Sequence, residues 1–206
     1  MPSGSLQEAT FGLLRKAGLE VSVAERSYAP RTSDRCLECV LLRAQEIPQY
    51  VETGRLDAGL SGRDWILETK ANVQEVMDLN YSKTGAGKVK WVVAVPEASE
   101  VRSVNDLEGK RIATELVNVT RGYLRRKKVN AEVEFSWGAT EGKAPLFVDA
   151  ICELTETGAS MKANGLRAIF TVIESTTRFI ANKDSMADEW KNKKIRSMAA
   201  LLRMAL

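Results

Sequence analysis

The 206-residue chain contains no histidine. That absence excludes the usual serine and cysteine hydrolase triads, most zinc sites and imidazole acid–base chemistry. Cysteine is scarce as well: three residues, an odd number, fit a reducing compartment better than a disulfide framework. No apolar run approaches membrane-spanning length, and the opening residues lack the charged-then-apolar layout of a signal peptide. The expectation is a soluble, cytoplasmic protein with no membrane partner. Charge is nearly balanced, 30 basic against 27 acidic residues for a net +3, which argues against a dedicated nucleic-acid binder. Internal repeats and low-complexity tracts are absent too. What remains is chemistry run by carboxylates, backbone amides, Lys and Arg, and a hard cation such as Mg²⁺.

What is present is enough apolar residue, 44%, for one large domain or two small lobes. The most informative stretch is 149–160. Asp149 and Glu153 sit in an apolar segment that breaks into a turn of Thr157, Gly158, Ala159 and Ser160. Carboxylates in a strand are costly to bury unless something uses them. A Thr-Gly-Ala-Ser turn offers consecutive backbone N–H groups and small hydroxyls, which suit a phosphate. Asp149 and Glu153 are four apart and so are expected to share a face. Acids followed by a phosphate turn match a phosphorylated sugar; a plain surface strand end with a polar turn is the competing reading.

Periodicity predicts helices over 6–17, 47–53, 64–68, 118–128 and 188–206, the last with Trp190, Ile195, Met198, Leu201 and Leu202 facing the core. It predicts strands over 19–24, 36–40, 56–60, 73–79, 91–95, 111–114, 133–135, 151–155, 166–174 and 179–181. Residues 27–35 read as loop, 104–109 and 145–150 as helical turns, and 82–88 as a linker. Strand and helix alternate, which points to α/β with mainly parallel sheet.

Several segments then read together: Gly4, Ser5 and Leu6 near the start, Arg43 to Gly54, Asp57 to Asp64, Gly109 to Glu115, Gly138 to Glu141, the stretch 149–160, and Asn164 to Arg167. In this order they closely resemble the ATP phosphoribosyltransferases, the enzymes that open histidine biosynthesis, over nearly the whole chain. The resemblance implies a two-lobe fold like type II periplasmic binding proteins, with a cleft between lobes. Lobe I would be 1–88 with 174–206 on the nucleotide side. Lobe II would be 89–173, carrying the loop 153–160 on the phosphoribosyl pyrophosphate side. The implied reaction joins N1 of the ATP adenine to C1 of 5-phosphoribosyl 1-pyrophosphate and releases pyrophosphate, with Mg²⁺ neutralising the leaving group.

Residue roles follow from the same resemblance. Asp149 and Glu153 would hold the ribose hydroxyls and place negative charge beside the cationic ring of the transition state, with Glu141 near the metal–pyrophosphate end. Thr155, Glu156, Thr157, Gly158, Ala159 and Ser160 form the phosphoribosyl pyrophosphate loop, in which Glu156 is expected to face solvent because it would repel phosphate. Gly138 would allow close backbone approach. Gly4, Ser5, Leu6, Arg43, Ser61, Gly62 and Asp64 match positions facing ATP. Tyr123 matches an aromatic position near the active site, or packs at the lobe surface. A homo-oligomer, dimeric or higher, is implied, as is a possible separate regulatory subunit.

Two departures stand out: Ser3 occupies a position where the family often has lysine, and the strand expected before that turn is truncated. The length fits a short form that works with a separate regulatory subunit, while the wording of the 155–158 turn fits a long form cut before its regulatory domain. Cys36 and Cys39 have redox or zinc spacing but no second pair, so they read as buried strand cysteines. The segment 85–88 resembles the tail of a phosphate-binding loop, with Val89 where Ser or Thr is needed. Arg121, Arg125, Arg126, Lys127 and Lys128 read as a solvated helix face. The rival functions are a non-catalytic two-lobe small-molecule binding module, a phosphoribosyltransferase acting on a free base, and a core of the right fold with little activity.

Overall fold

A computed structural model describes residues 1–81 and 88–206. The linker at 82–88 and the phosphate-loop likeness at 85–88 therefore fall, apart from Lys88, outside the described residues. Two compact units are present: Met1–Lys88 with Thr176–Leu206, and Val89–Ser175.

The first unit contains α1 (Gln7–Lys16), β1 (Val21–Ser22), β2 (Arg31–Thr32), α2 (Ile47–Glu52), β3 (Ala58–Gly62), α3 (Arg63–Thr69) and β4 (Gln74–Leu79). The chain returns to it with β10 (Thr177–Ala181), α6 (Lys183–Ala187) and α7 (Glu189–Ala205). Its sheet runs β3-β10-β4, antiparallel at both ladders. Helix α1 buries Phe11, Leu13 and Leu14, and Gly18 at φ 81° ends it in the left-handed region where glycine carries no penalty. Helix α7 starts where the Asp188 carboxylate accepts from Lys191 N at 2.8 Å. It buries Ile195, Ala199 and Leu202, a stripe at helical spacing. These side chains pack on Leu60, Leu79 and Phe179 of the sheet. Trp190, expected in the core, is 59% exposed because it lies in the first turn of α7, ahead of that stripe.

The apolar segment 36–40 forms no strand. A strand exists through a ladder, and the backbone here makes only scattered bonds, such as Leu41 N to Tyr28 O at 2.8 Å. Next to it, Pro2 forms a single parallel bridge with Leu42. A cavity of about 600 Å³ lies within this unit, lined by Leu37, Cys39, Val40, Leu60, Ile195 and others. The cysteine reading changes accordingly: Cys36 is exposed, Cys39 half-buried, and neither sits in a strand.

The second unit contains β5 (Val89–Pro96), β6 (Arg111–Thr114), α4 (Val117–Lys127), β7 (Glu132–Phe135), β8 (Ala150–Thr155), α5 (Ala159–Ala163) and β9 (Leu166–Ser175). The sheet order is β7-β6-β8-β5-β9. Strands β7, β6 and β8 are parallel, while β5 is antiparallel to both β8 and β9. The expectation of mainly parallel sheet is thus wrong: of the seven strand pairings among the described residues only two, β6 with β7 and β6 with β8, are parallel. Strand β5 brings the chain in and β9 takes it out, so these neighbours run in opposite directions. Trp91 to Val95 are all buried, the continuous apolar run of an interior strand covered on both faces. The helical turn expected at 145–150 lies earlier, as a 3-10 turn at Thr140–Lys143. No helix among the described residues is long and apolar enough to cross a membrane.

Candidate active site

In the second unit, β8 carries Glu153 toward its C-terminal end and delivers the chain into the 156–158 turn. Gly158, at φ 75°, sits in the left-handed conformation that starts α5. The turn is closed on itself: Gly158 N donates to the Thr155 hydroxyl at 2.9 Å and Ala159 N to the Thr157 hydroxyl at 3.4 Å. Ser160 donates from its hydroxyl to a Glu141 carboxylate oxygen at 2.6 Å. The 140–143 turn therefore sits against the first turn of α5, and the structure brings Glu141, Glu153 and the loop together. Glu156 and Thr157 are exposed. Gly138 at φ 105° and Ala139 at φ 49° make the sharp reversal that presents Thr140 and Glu141; the first of these angles is open to glycine alone.

Burial pushes the Glu153 carboxyl above its ordinary range. Hydrogen bonds from the Thr140 hydroxyl and from Leu154 N oppose that, and the nearby carboxylates of Glu141 and Glu115 add to it. A half-buried acid facing two others is unusual for a purely structural strand residue. Glu115 was not among the residues the sequence singled out, nor were Ser136 and Lys143 behind Thr140. Their one signal was spacing: Ser136 and Thr140 stand four apart around the Gly138 reversal.

Asp149 does not join this group. It precedes β8, roughly 13 Å along the strand from Glu153 at the usual rise per residue. Its carboxylate accepts from Arg111 N at 2.9 Å and pairs with Lys110 at 3.4 Å, tying the start of β6 to the start of β8. Tyr123, expected near the active site on the ATP side or packed at the lobe surface, lies on α4 in the second unit. Its ring stacks on Phe170 at 5.4 Å, with Lys127 and Arg126 at 5.8 and 6.0 Å from its centroid.

In the first unit, the 3-10 turn Gly4–Leu6 leads into α1, and a side chain placed on Gly4 would reach Arg43 Nη1 at 3.8 Å. Arg43 is exposed beside that turn. The end of β3 joins the same region, since the Ser61 hydroxyl donates to Ala44 O at 2.7 Å. Gly4, Ser5, Leu6, Arg43 and the 61–64 segment thus converge. Two of them are turned inward, however. Ser61 is fully buried, and Asp64 is 2% exposed with Oδ1 accepting from Trp65 N at 3.1 Å. Gly62 makes room for that fold-back: a Cβ there would meet Asp64 Oδ1 at 2.0 Å. Ser61 and Asp64 shape the segment, leaving backbone, Ser5, Arg43 and the exposed Arg63 as its outward donors.

Among the described residues no three His, Cys, Asp or Glu side chains converge to hold a metal ion. The three cysteines are free, and burial raises the Cys39 thiol, keeping it protonated and unreactive.

A family model for ATP phosphoribosyltransferase matches residues 43–204. An ATP phosphoribosyltransferase of Chlorobium phaeobacteroides is 56% identical over all 206 residues, which cover 70% of that protein. The chain belongs to the ATP phosphoribosyltransferase family. Membership makes it a pentosyltransferase of histidine biosynthesis, and a non-catalytic binding module is not favoured. The fold agrees with that family. A chain of the ATP phosphoribosyl transferase (HisG:HisZ) complex from Thermotoga maritima superposes with a TM-score of 0.81 at 25% identity, covering 99% of this chain and 95% of that one. A histidine kinase sensor domain similar to periplasmic binding proteins superposes at 0.64 and 12% identity, over 98% of this chain and 79% of that one. That second likeness places the ATP phosphoribosyltransferase fold of this chain in the periplasmic-binding-protein class.

Proposed function

We propose that the second unit binds 5-phosphoribosyl 1-pyrophosphate, with Glu153 beside the ribose ring and the 155–160 loop around the 5′-phosphate. The observation that carries this reading is the half-buried Glu153 carboxylate adjoining a turn of hydroxyls and backbone amides. As pyrophosphate leaves C1, positive charge spreads over the ribose ring, and a fixed carboxylate nearby lowers the barrier. Glu153 also stands ready to accept the ribose hydroxyl protons as hydrogen bonds. Thr155, Thr157 and Ser160 exchange their internal partners for phosphate oxygens, and Gly158 and Ala159 contribute backbone N–H groups. Glu156 stays in solvent, where it does not oppose the phosphate charge. Asp149 supports the strand rather than the substrate.

In the first unit, the Gly4–Leu6 turn and Arg43 offer donors and positive charge to the ATP phosphates. N1 of adenine is the nucleophile; the product is N1-(5-phosphoribosyl)-ATP with pyrophosphate. Mg²⁺ bound to the pyrophosphate, an ion that commonly takes most of its ligands from phosphates and water, would supply neutralisation of the leaving group. The enzyme works in the cytoplasm as a homo-oligomer, and a separate regulatory subunit is a suitable partner, as the HisG:HisZ complex illustrates for its own chains.

The deciding experiment is pyrophosphate release with ATP, phosphoribosyl pyrophosphate and Mg²⁺, each omitted in turn, with mass spectrometry of the adduct. Product requiring all three is the expected result. A folded protein that binds neither substrate would overturn the assignment of the two sites.

A further inference from the structure

We propose that the first unit binds an extended apolar peptide as a β-strand, in the groove between residues 36–40 and the outer edge of β3. The peptide's C-terminal carboxylate meets the Met1 ammonium. The groove is the cavity of about 600 Å³, walled by residues 36–40 and 56–60 and backed by Leu14, Ile195, Met198 and Leu202. A volume of that order is what small-ligand sites enclose.

A ladder already runs into this groove and stops there. Met1 N donates to Val40 O at 2.7 Å, Leu42 N to Met1 O at 3.1 Å and Ser3 N to Leu42 O at 2.7 Å. These are consecutive rungs of one parallel register, with Pro2 opposite Leu42. The rungs that come next belong to Val40 N, Glu38 O and Glu38 N, and no described backbone group takes them. Across the groove, β10 holds one edge of β3, while no backbone bond joins the second edge to any described residue. Gly59 and Leu60 on that strand are nevertheless buried. Two facing rows of free backbone groups are what an added strand pairs with.

The register also sets the composition of the occupant. Met1, opposite Leu41, packs with it in the core between α1 and α7, so residues paired across this ladder share a face. Alternation then puts the residues opposite Leu37 and Cys39, both half-buried, on that apolar face. Those opposite Cys36 and Glu38, which are exposed, turn the other way. A five-residue strand along 36–40 therefore needs apolar side chains at its second and fourth positions. Its last residue ends beside Met1 N, where burial pushes the ammonium below its ordinary range and a carboxylate would restore a partner for the charge. Of the other cations lining the cavity, Lys191 and Lys194 are paired with Asp57 and Asp34. Arg55 lies over the Tyr50 ring, and Arg35 is exposed. None of this depends on the substrate assignments.

The test is isothermal titration calorimetry of the full chain with acetyl-Thr-Ile-Thr-Ile-Val bearing a free carboxylate. One-to-one binding that raises the melting temperature is the expected result. The isomer acetyl-Ile-Thr-Ile-Thr-Val turns its isoleucines to the other face and should bind about tenfold more weakly or worse. Amidating the carboxylate should also weaken binding by about tenfold, and N-methylating the fourth residue, whose N–H faces Glu38 O, should abolish it. These peptide changes leave the chain untouched, so no failure of folding can mimic their effect. Joining the same five residues directly ahead of Met1 should fill the groove from within and abolish binding of the free peptide. No detectable binding, equal binding of the two isomers, or undiminished binding to the joined chain would each overturn the proposal. So would sedimentation showing a dimer that the peptide dissociates, since a second copy would then be the groove's occupant.

Discussion

The Ser160 hydroxyl holds a Glu141 carboxylate oxygen at 2.6 Å, joining the first turn of α5 to the turn that follows Gly138. A phosphate arriving at the loop competes for that hydroxyl. In the substrate-free protein the bond keeps the two turns in register, and the proposed phosphate contact would exchange it for one to a phosphate oxygen. Ser160→Ala should therefore raise KM for phosphoribosyl pyrophosphate, by about tenfold or more if a hydrogen bond to a charged group is lost. KM for ATP should stay unchanged. Steady-state kinetics with each substrate varied in turn checks this, and an equal rise in both constants would count against a phosphate role for the loop.

Asn182 joins β10 to α6 and is 6% exposed. Its side-chain oxygen accepts from Asp184 N at 3.0 Å and Ser185 N at 2.9 Å, capping the helix. Its amide nitrogen donates to Val51 O at 2.9 Å and Glu52 O at 3.2 Å, satisfying the end of α2. Asn182→Ala should cost about 2 kcal/mol, combining a lost cap with two lost hydrogen bonds to the end of α2. Asn182→Asp keeps the cap but aims a carboxylate at two carbonyl oxygens, so it should be no better than alanine. Urea denaturation of the three proteins gives the ranking; an aspartate variant as stable as the parent would refute the donor half of the role.

Much of the fold was legible because most strands of the second unit are apolar and most helices carry a regular stripe. The 36–40 segment shows the limit. Its composition is that of a strand, yet whether it pairs depends on a neighbour far away in sequence, which local pattern does not reveal. The direction of β5 and β9 was hidden for a similar reason: alternation of strand and helix reports layers, whereas direction depends on where the chain enters and leaves the sheet. At the site, the 155–160 turn was legible from its residue types. Asp149 was expected beside Glu153 but lies at the other end of β8, because side-chain period gives the face and leaves the position along the strand unweighed. Ser136 and Lys143 were invisible because a buried serine and a partly buried lysine have no signature until the Gly138 reversal brings them together.

Gly59 on β3 lies under α2. A Cβ at this position would meet Ile47 Cγ2 at 2.4 Å and Val51 Cγ2 at 3.2 Å, and both side chains are fully buried. Ile47 is β-branched and stiff at χ1, so it cannot swing aside without moving the helix. Gly59→Ala should destabilise the protein by about 1–3 kcal/mol through overpacking. Pairing it with Ile47→Ala should recover part of the loss, since the clash is removed even though a cavity is made. Thermal unfolding of both variants tests the close approach, and an unaffected melting temperature in Gly59→Ala would show that α2 can lift from the sheet freely.

Glu153 should show a trade of stability for activity. Its carboxyl is raised in the folded protein, chiefly by burial, above the usual unfolded value of about 4.3. The folded state therefore holds the proton more tightly than the unfolded chain does. The sign follows from linkage: stability is greatest below the unfolded value and falls as pH rises through the folded one, after which the penalty is constant. At neutral pH the ionised carboxylate costs the fold something. Glu153→Gln keeps an oxygen for Thr140 and Leu154 N but removes the charge, so it should melt higher than the parent at pH 7, with the gap closing toward pH 4. Turnover should move the other way, by roughly 10²–10³-fold, as expected when one charge-stabilising group is lost from a transition state. ATP binding should be unaltered, because the role assigned to Glu153 is at the ribose. Calorimetry at the two pH values and single-turnover kinetics make the comparison. A variant that loses activity and stability together at pH 7 would mean that Glu153 serves the fold first, and that the ribose-facing carboxylate must be sought elsewhere.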